Sequence, residues 1–222
     1  MRILLLGATG RTGKQILAAA IEKGYRINCL VREPKKIEMN HEKVAVFKGS
    51  PKLISDLEKA LEGCEVIISA LNISRKSDFP WSKLRTPPTF LSDVMQNIIS
   101  LSEKQSIKRI VVCSAWGVSE TKKDIPFWFK WFIDNSNIGV TYKDHERQEK
   151  VLKSSNLDWT IVRPTGLVNS KKGGKIIESY GNEPKPRLTI SRFGLAKFML
   201  DLILDKKLIH CTLVVSEGER VT

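Results

Sequence analysis

The sequence predicts an α/β fold, a doubly wound parallel sheet with helices on both faces, in a single domain. Short apolar runs of strand length alternate with longer segments of helical periodicity, a pattern typical of parallel α/β sheets. The run at residues 66–68 is apolar without alternation, as expected of a strand buried on both faces. A chain of 222 residues supports one sizeable core, so we expect one domain over residues 1–222.

The first strand and the first helix enclose a glycine-rich turn. Residues 3–6 are apolar, the sequence Gly-Ala-Thr-Gly-Arg-Thr-Gly follows at residues 7–13, and a helix is predicted at residues 14–23. Here Gly7 would allow the turn, Gly10 would let a ligand approach the backbone, and Gly13 would let the helix pack on the sheet. The free N–H groups at the helix start predict a diphosphate site, and a tight turn without a ligand is the alternative. The residues assigned to this site are Gly7, Thr9, Gly10, Arg11, Thr12 and Gly13.

The second strand, residues 26–31, ends at a residue that indicates the cofactor. An acidic side chain at this point would bind the ribose 2′-hydroxyl of NAD, whereas an arginine would meet the 2′-phosphate of NADP. Arg32 follows the strand, and Lys36 adds a second positive charge. We therefore predict NADP(H) as the cofactor. Two alternatives stay open, namely Glu33 in the ribose position after a small shift in register, and an ordinary solvated turn.

The same periodicities predict the rest of the sheet. Further strands are expected at residues 44–48, 65–69, 109–113, 156–166 and 211–215, and further helices at residues 53–61, 89–104, 141–153 and from residues 190–192 onward. Ligands of such sheets bind outside the carboxyl ends of the strands, so Ala70, Leu71 and Asn72 are assigned to the cofactor site. We expect residues 72–88, 114–135 and 164–192 to form the substrate cleft, with a mobile basic loop at residues 171–175.

Aromatic residues cluster in two of these segments. Residues 72–88 have no period and contain three prolines, as is typical of a functional loop. Phe79 and Trp81 in this loop would either cover a bound ring or anchor the loop in the core. Residues 125–133 hold five aromatic residues. We favour a helix buried against the sheet over an aromatic substrate cage, because aromatic residues at helical spacing usually build core.

Composition limits the class of partner. The net charge is +13, but acidic residues are interleaved with the basic ones, so we expect attraction of anionic small molecules rather than a nucleic-acid partner. No apolar stretch is long enough for a membrane helix or a signal peptide, so we expect a cytoplasmic protein without a membrane partner. The four cysteines and three histidines show no metal-ligand spacing, and no metal is expected.

Five stretches of the sequence resemble one family. Residues 7–13, 30–32, 114–116, 144–147 and 160–164 are similar to the atypical short-chain dehydrogenase/reductase group. This group has a Rossmann-like NAD(P)-binding domain, includes the NmrA-like proteins, and is resembled most in its biliverdin-IXβ reductase/flavin reductase branch. The resemblance covers nearly the whole chain. It implies that Arg32 and Lys36 hold the 2′-phosphate, that Ser50 stands beside the adenine in place of an aspartate, and that Ser114, Pro164 and Thr165 line the nicotinamide site.

The resemblance also places the candidate catalytic residues, which are Ser114, Tyr142 and His145. In the superfamily a serine follows the fifth strand. A tyrosine lies four residues before a lysine, and this lysine lowers the pKa of the tyrosine hydroxyl. Here Tyr142 is followed four residues later by Glu146, so that pairing is absent. Alignment by Glu149 puts His145 in the lysine position, and Tyr142 and His145 would share a helix face. His145 would act either in acid catalysis or as a contact to the ribose.

The function that the resemblance implies is reduction. The resembled branch also lacks the tyrosine–lysine pair and reduces planar conjugated substrates by hydride transfer, with protons taken largely from solvent. We therefore expect an NADPH-dependent reductase of a flavin-like or other planar conjugated small molecule, either a monomer or a homodimer. The alternative is a non-catalytic NADP(H)-binding redox sensor of the NmrA-like type, and a third interpretation is a nucleic-acid-associated factor that uses the basic charge.

Overall fold

Ten strands and six helices form in the part of the chain that the computed structural model describes, residues 1–105, 107–170 and 173–218. The strands are Arg2–Leu6 (β1), Arg26–Val31 (β2), Val44–Lys48 (β3), Val66–Ser69 (β4), Arg109–Cys113 (β5), Asp158–Pro164 (β6), Gly166–Val168 (β7), Ile176–Ser179 (β8), Thr189–Ser191 (β9) and Cys211–Glu217 (β10). The helices are Arg11–Glu22 (α1), Ile54–Leu61 (α2), Phe90–Gln105 (α3), Phe127–Asp134 (α4), Ile138–Lys153 (α5) and Arg192–Asp201 (α6).

Eight strands form one sheet in the order β3-β2-β1-β4-β5-β6-β10-β8. All neighbouring pairs are parallel except β10 and β8. The chain runs from β1 outward to β2 and β3, then crosses to β4 on the other side of β1. At such a reversal of strand order the connections diverge and leave a crevice at the carboxyl ends of the strands. The predicted doubly wound, Rossmann-like α/β fold in a single domain is confirmed.

Apolar side chains of the sheet pack against helices on both faces. Ile3 and Leu5 of β1 face α1 and α6, whereas Leu4 and Leu6 face the layer formed by α2, α3 and α5. Successive side chains of a strand point to opposite faces. A strand that is covered on both sides is therefore apolar at every position, which explains the unbroken apolar runs of the sequence.

The C-terminal third contains three strands that were not predicted, β7, β8 and β9. β8 is an edge strand whose first three residues are only half-buried and make no apolar run. A helix was predicted to start at residues 190–192, where the chain instead forms β9 and pairs with β7. The Ser191 hydroxyl accepts a hydrogen bond from the N–H of Gly194 at 2.9 Å, and this cap starts α6 at Arg192. The expected basic loop at residues 171–175 includes Lys171 and Lys172, which lie outside the described residues.

The prediction that the aromatic helix is buried against the sheet is wrong. Phe127, Trp128 and Trp131 of α4 are 83%, 59% and 48% exposed, and Ile133 is the buried residue of this helix. The helix packs mainly on α5. Positions 127, 128 and 131 lie on the side of the helix opposite Ile133, so they stay in solvent.

Neither interpretation of Phe79 and Trp81 agrees with the structure. The two side chains are 62% and 43% exposed, so they do not anchor the loop in the core. They also do not line the cleft described below. The Trp81 indole Nε1 instead donates to the carbonyl oxygen of Asn135 at 2.7 Å, just after α4. None of the helices in the described ranges has the length and apolar character that crossing a membrane requires.

Candidate functional site

A cleft of about 810 Å³ opens at the carboxyl ends of the central strands, where the strand order reverses. Most residues assigned to the site from the sequence line this cleft. They are Gly7, Thr9, Gly10, Arg11, Thr12, Arg32, Lys36, Ala70, Leu71, Asn72, Ser114, Tyr142, His145, Pro164 and Thr165. Parts of all three predicted cleft segments contribute, through residues 72–75, 77–78, 85–86, 114–116 and 164–167 together with Phe129 and Arg192.

The glycine-rich turn between β1 and α1 fits a phosphate-bearing ligand. Gly7 has a φ of +85°, and a Cβ on it would lie 2.6 Å from the carbonyl oxygen of Ala70. A Cβ on Gly10 would meet only the carbonyl oxygen of Gly7, at 3.2 Å, because Gly10 faces the open cleft. Gly10 brings no side-chain cap to α1, and the first turn of this helix holds no acidic residue. The N–H groups of that turn and the positive end of the helix dipole are therefore available to an anion.

Gly13 and Ser50, two of the predicted site residues, do not line the cleft. A Cβ on Gly13 would lie 2.0 Å from the carbonyl oxygen of Gly7, so α1 packs on the turn only because Gly13 has no side chain. The N–H of Ser50 donates to Oδ2 of Asp56 at 3.0 Å. Pro51 is the residue of this segment that faces the cleft, and the adenine contact of Ser50 stays a prediction.

Positive side chains gather at the end of the cleft beside β2. Arg32 and Lys36 both line it, and Nζ of Lys36 forms an ion pair with Glu33 at 2.7 Å. This contact holds the pKa of Glu33 below its usual value, with smaller effects from Arg32 and Arg85. Arg85 of the long loop, which was not among the predicted site residues, also lines the cleft. Two exposed guanidinium groups beside a neutralised carboxylate suit a phosphate.

The loop at residues 72–88 reaches over to the glycine-rich turn. Arg75 and Leu84 form an antiparallel bridge that folds the loop back on itself. The Arg11 guanidinium donates to both carboxylate oxygens of Asp78, at 2.9 and 3.0 Å. This bidentate ion pair connects the loop to the turn that would hold a diphosphate. The length and the prolines of the loop signalled a functional segment, but no sequence signal pointed to this pairing.

Ser114 follows β5 and belongs to a buried network of charges. Its hydroxyl donates to Oε1 of Glu149 at 2.6 Å, and Nε of Arg163 donates to the same oxygen at 3.0 Å. The Nη1 and Nη2 atoms of Arg163 donate to the carboxylate of Glu120. Burial lowers the pKa of Arg163, but its hydrogen bonds to Glu149 and Glu120 outweigh burial and hold the pKa above its usual value. Glu149 and Arg163 are therefore a charged pair next to the cleft, and the Ser114 proton points to Glu149.

Tyr142 and His145 line the cleft from α5, as their spacing predicts. The Tyr142 hydroxyl donates to the carbonyl oxygen of Trp116 at 3.2 Å, and burial raises its pKa. His145 is buried, its Nδ1 lies 3.3 Å from Oε1 of Gln148, and burial lowers the pKa of its imidazole. Both side chains are therefore neutral at neutral pH. Burial also raises the pKa of the Cys113 thiol, which lines the cleft, to about 12, so no thiolate is available there.

Thr165 carries an unsatisfied polar group of the cleft. The residue follows Pro164 at the end of β6 and is buried. Its Oγ1 has no hydrogen-bond partner within the described part of the chain. Buried hydroxyl groups are nearly always hydrogen-bonded. Thr165 therefore fits a polar group of a bound ligand, at the end of the cleft assigned to the nicotinamide.

A family comparison agrees with this geometry. The model of the NAD(P)H-binding family matches residues 7–206, from the glycine-rich turn to beyond α6. The chain therefore belongs to the NAD(P)H-binding family. The expected nicotinamide cofactor is confirmed at this level.

Relatives in this family are distant and differ in their roles. An uncharacterized chloroplastic protein of Arabidopsis thaliana is 24% identical over 93% of this chain and 73% of its own length. The photosystem II assembly factor Ycf39 of Synechocystis is 29% identical over 82% of this chain and 50% of its own. The reductase pytE of Aspergillus terreus is 23% identical over 92% of each chain. The chain thus spans about half the length of the photosystem II assembly factors that it matches.

Solved structures share the fold at low sequence identity. ChuY, an anaerobilin reductase from Escherichia coli O157:H7, superposes with a TM-score of 0.81 at 19% identity, with 100% of each chain covered. A short-chain dehydrogenase/reductase from Veillonella parvula in complex with NADP gives a TM-score of 0.77 at 22% identity, over 100% of this chain and 96% of that one. These likenesses show the Rossmann fold of the chain.

Proposed function

We propose that this protein is an NADPH-dependent reductase that transfers hydride to a flavin-like or other planar conjugated small molecule. The observation that carries the proposal is one continuous cleft of about 810 Å³, which joins a phosphate-binding turn, an arginine-rich end and an aromatic wall. This volume is in the range of small-molecule and cofactor sites. A fungal reductase among the relatives and an anaerobilin reductase of the same fold support reduction as the reaction class.

The cofactor would lie across the carboxyl ends of the strands. Its diphosphate would bind the N–H groups of the first turn of α1. Arg32 and Arg85, together with Lys36, would hold the 2′-phosphate, which favours NADP over NAD. The Thr165 hydroxyl, which is buried without a partner, would bind a polar group of the nicotinamide end. Pro164 and Ser114 would line the same end.

The proton for the reduction would come from solvent. Among the described residues, the three candidate acids of the cleft are not poised to donate: Ser114 donates to Glu149, Tyr142 donates to Trp116, and His145 has a lowered pKa. NADPH, when bound, would supply the hydride. Water in the open cleft would supply the proton. A conjugated acceptor suits this arrangement because its ring system delocalises the added charge until the proton arrives. Ser114, Tyr142 and His145 would then orient the reactants.

The aromatic wall supports a flat substrate. Phe129 and Tyr142 both line the cleft, and their rings meet edge to face with centroids 6.1 Å apart. Trp116 lines the cleft beside them. Aromatic side chains form large apolar contacts with other ring systems. A planar conjugated molecule would therefore bind here with one face against protein and the nicotinamide on the other.

The first experiment is a titration of the purified protein with NADPH and with NADH, followed by stopped-flow oxidation of the bound cofactor. FMN and dichlorophenolindophenol serve as planar acceptors. We expect tighter binding of NADPH and rapid oxidation when an acceptor is added. Failure to bind either nucleotide would contradict the cofactor assignment. Tight binding of NADPH without acceptor-dependent oxidation would contradict the reductase.

The alternative function is a non-catalytic NADP(H)-binding redox sensor. The observation that favours a sensor is that no side chain of the described cleft is poised to donate a proton to a substrate. A sensor requires a segment that differs between the oxidised and reduced complexes, and the loop at residues 72–88 is the segment tied to the cofactor turn through Arg11 and Asp78. Different rates of proteolysis of this loop with NADP⁺ and NADPH, without turnover, would identify a sensor. The cytoplasmic location and the monomeric or homodimeric state stay predictions.

A further inference from the structure

Five exposed aromatic side chains form one surface beside the cleft. This aromatic surface consists of Phe79, Trp81, Phe127, Trp128 and Trp131, which are between 43% and 83% exposed. Ring contacts connect the loop to the helix, with centroids 5.2 Å apart for Phe79 and Trp81 and 6.4 Å apart for Trp81 and Trp131. Large exposed apolar patches mark interaction sites. The proposed reductase site does not use these five residues, since none of them lines the cleft.

The aromatic surface is held in place and protrudes. The Trp81 indole donates to Asn135, and Nδ2 of Asn137 donates to the carbonyl oxygen of Trp81 at 2.9 Å, so the loop is fixed to the end of α4. Phe127 stands at the start of α4 and is 83% exposed. None of the five side chains lines the cleft or a smaller cavity beside Glu120 and Thr212. A protruding surface of this kind suits a partner that can deform around it. A rigid partner would need pockets that match the five side chains.

The charges around the aromatic surface are positive. Three acidic residues of the segments 72–88 and 114–135 already form ion pairs, Asp78 with Arg11, Asp134 with Lys122, and Glu120 with Arg163. Asp124 is the one other acidic residue of these segments. Four exposed lysines of the same segments have no ion pair within the described ranges. The lysines are Lys76, Lys83, Lys123 and Lys130. A second copy of the chain would bring the same lysines together, which disfavours self-association here.

We propose that the aromatic surface docks the protein on an anionic lipid membrane. Tryptophan and phenylalanine side chains partition into the boundary between headgroups and acyl chains, and flanking lysines bind anionic headgroups. Phe127, Trp128 and Trp131 enter this boundary, and Lys123 and Lys130 bind the lipid phosphates. The protein then lies on the membrane without crossing it, which replaces the expectation from the sequence that there is no membrane partner. This inference does not depend on the proposed reductase activity.

The test is co-sedimentation of the full chain with vesicles of phosphatidylcholine, alone or mixed with phosphatidylglycerol. The aromatic variant is Phe127→Ser combined with Trp128→Ser, and its matched control is Leu204→Ser, which changes a residue 69% exposed between α6 and β10, outside the aromatic surface. The charge variant is Lys123→Glu combined with Lys130→Glu, with Lys206→Glu combined with Lys207→Glu as its control. All exchanged side chains are exposed, and equal unfolding midpoints verify that the variants fold.

We expect binding to the mixed vesicles, accompanied by a blue shift of tryptophan emission, and little binding to phosphatidylcholine alone. The aromatic variant lowers the partition coefficient by about tenfold or more. Each Lys→Glu exchange lowers it by at least about fivefold, because it removes an attracted charge and adds a repelled one. The controls bind as the wild type does. Absence of vesicle binding, or equal binding of the aromatic variant, would overturn the proposal. Self-association that the aromatic variant abolishes would assign the surface to a second copy. Aromatic-dependent retention on immobilised polyglutamate without vesicle binding would assign it to an acidic protein.

Discussion

The Ser114 hydroxyl donates its only proton to the carboxylate of Glu149, at 2.6 Å. Toward the cleft, Ser114 therefore offers lone pairs and no proton. We predict that Ser114→Ala lowers the rate of hydride transfer by less than about tenfold, whereas loss of a general acid typically costs about 10²- to 10⁴-fold. Single-turnover stopped-flow oxidation of bound NADPH measures this rate.

Ser92→Ala is the matched control for this experiment. Ser92 is also a buried serine that donates at 2.6 Å to an acidic residue of α5, Asp144, but it does not line the cleft. A loss beyond about 100-fold in Ser114→Ala alone, with NADPH binding intact, would show that Ser114 is an acid catalyst after all.

Glu149 is predicted to be essential for folding stability. Glu149 and Arg163 are each 1% exposed, so removal of the carboxylate leaves a buried guanidinium with Glu120 as its remaining partner. We expect Glu149→Ala to lower the free energy of unfolding by about 3 kcal/mol or more, measured by urea titration. The control, Glu146→Ala, breaks an exposed pair with Lys150 on the same helix and should cost about 0.5 kcal/mol. Equal effects of the two variants would contradict the buried-pair account.

Arg32 is predicted to select NADPH. Arg32→Asp replaces a phosphate-binding guanidinium with a carboxylate that would repel the 2′-phosphate and accept hydrogen bonds from a 2′-hydroxyl. We expect the dissociation constant for NADPH to rise by about tenfold or more, with a smaller change for NADH. Lys35→Asp changes the same charge three residues away, outside the cleft lining, and should alter the two nucleotides equally. If Arg32→Asp still prefers NADPH over NADH to the same extent, either Arg85 binds the 2′-phosphate or the NADP assignment is wrong.

Gly10 and Gly13 are predicted to fail in different ways when substituted. A Cβ at Gly13 would overlap the backbone of Gly7 at 2.0 Å, so Gly13→Ala should lower the free energy of unfolding by about 1 to 3 kcal/mol. A Cβ at Gly10 would meet only one atom at 3.2 Å and would point into the cleft, so Gly10→Ala should fold and lose NADPH affinity. Thermal unfolding and fluorescence titration separate these effects, and the reverse pattern would contradict the geometry.

His145 is predicted to weaken the fold in acid. Burial lowers its pKa, although Glu149, Gln148 and Asp144 act in the opposite direction. The unfolded chain therefore takes up this proton at a higher pH than the folded chain does, and stability falls as the pH drops below the unfolded value. The loss of unfolding free energy between about pH 7.5 and about pH 5 should be smaller in His145→Gln than in the wild type. His41→Gln is the control, and an unchanged loss in His145→Gln would contradict the prediction.

Local signals were sufficient for most of the fold. The strands at Arg26–Val31 and Val44–Lys48 are bounded as the sequence predicts. β2 is buried from Ile27 to Val31, as expected of a parallel strand covered on both faces. β3 is an edge strand whose residues are exposed or half-buried, but its apolar run still has abrupt ends. The glycine-rich turn was equally readable, since its residues are consecutive. β8 was missed because an edge strand needs no apolar run, and the burial of α4 was misjudged because helical periodicity shows that a helix forms but not what packs on it.

The missed features of the site depend on pairs that are remote in the chain. Arg11 meets Asp78 across 67 residues, and Ser114 meets Glu149 across 35. Neither pairing has a spacing that one sequence can reveal. Arg85 is a similar case, because its place beside Arg32 depends on how the loop at residues 72–88 folds back through the bridge between Arg75 and Leu84.

The Arg163 guanidinium bonds two carboxylates, that of buried Glu149 and that of Glu120, whose side chain is 63% exposed. Loss of either carboxylate leaves the guanidinium with one partner instead of two. Loss of Arg163 alone leaves the buried Glu149 with Lys153, at 3.8 Å, as its countercharge. We therefore expect single replacements within this trio to be selected against, and the three residues to change together during evolution. Distant homologues could then be grouped by descent according to whether they have all three residues or none of them. This criterion is independent of the glycine-rich turn, which nucleotide-binding proteins of many origins share.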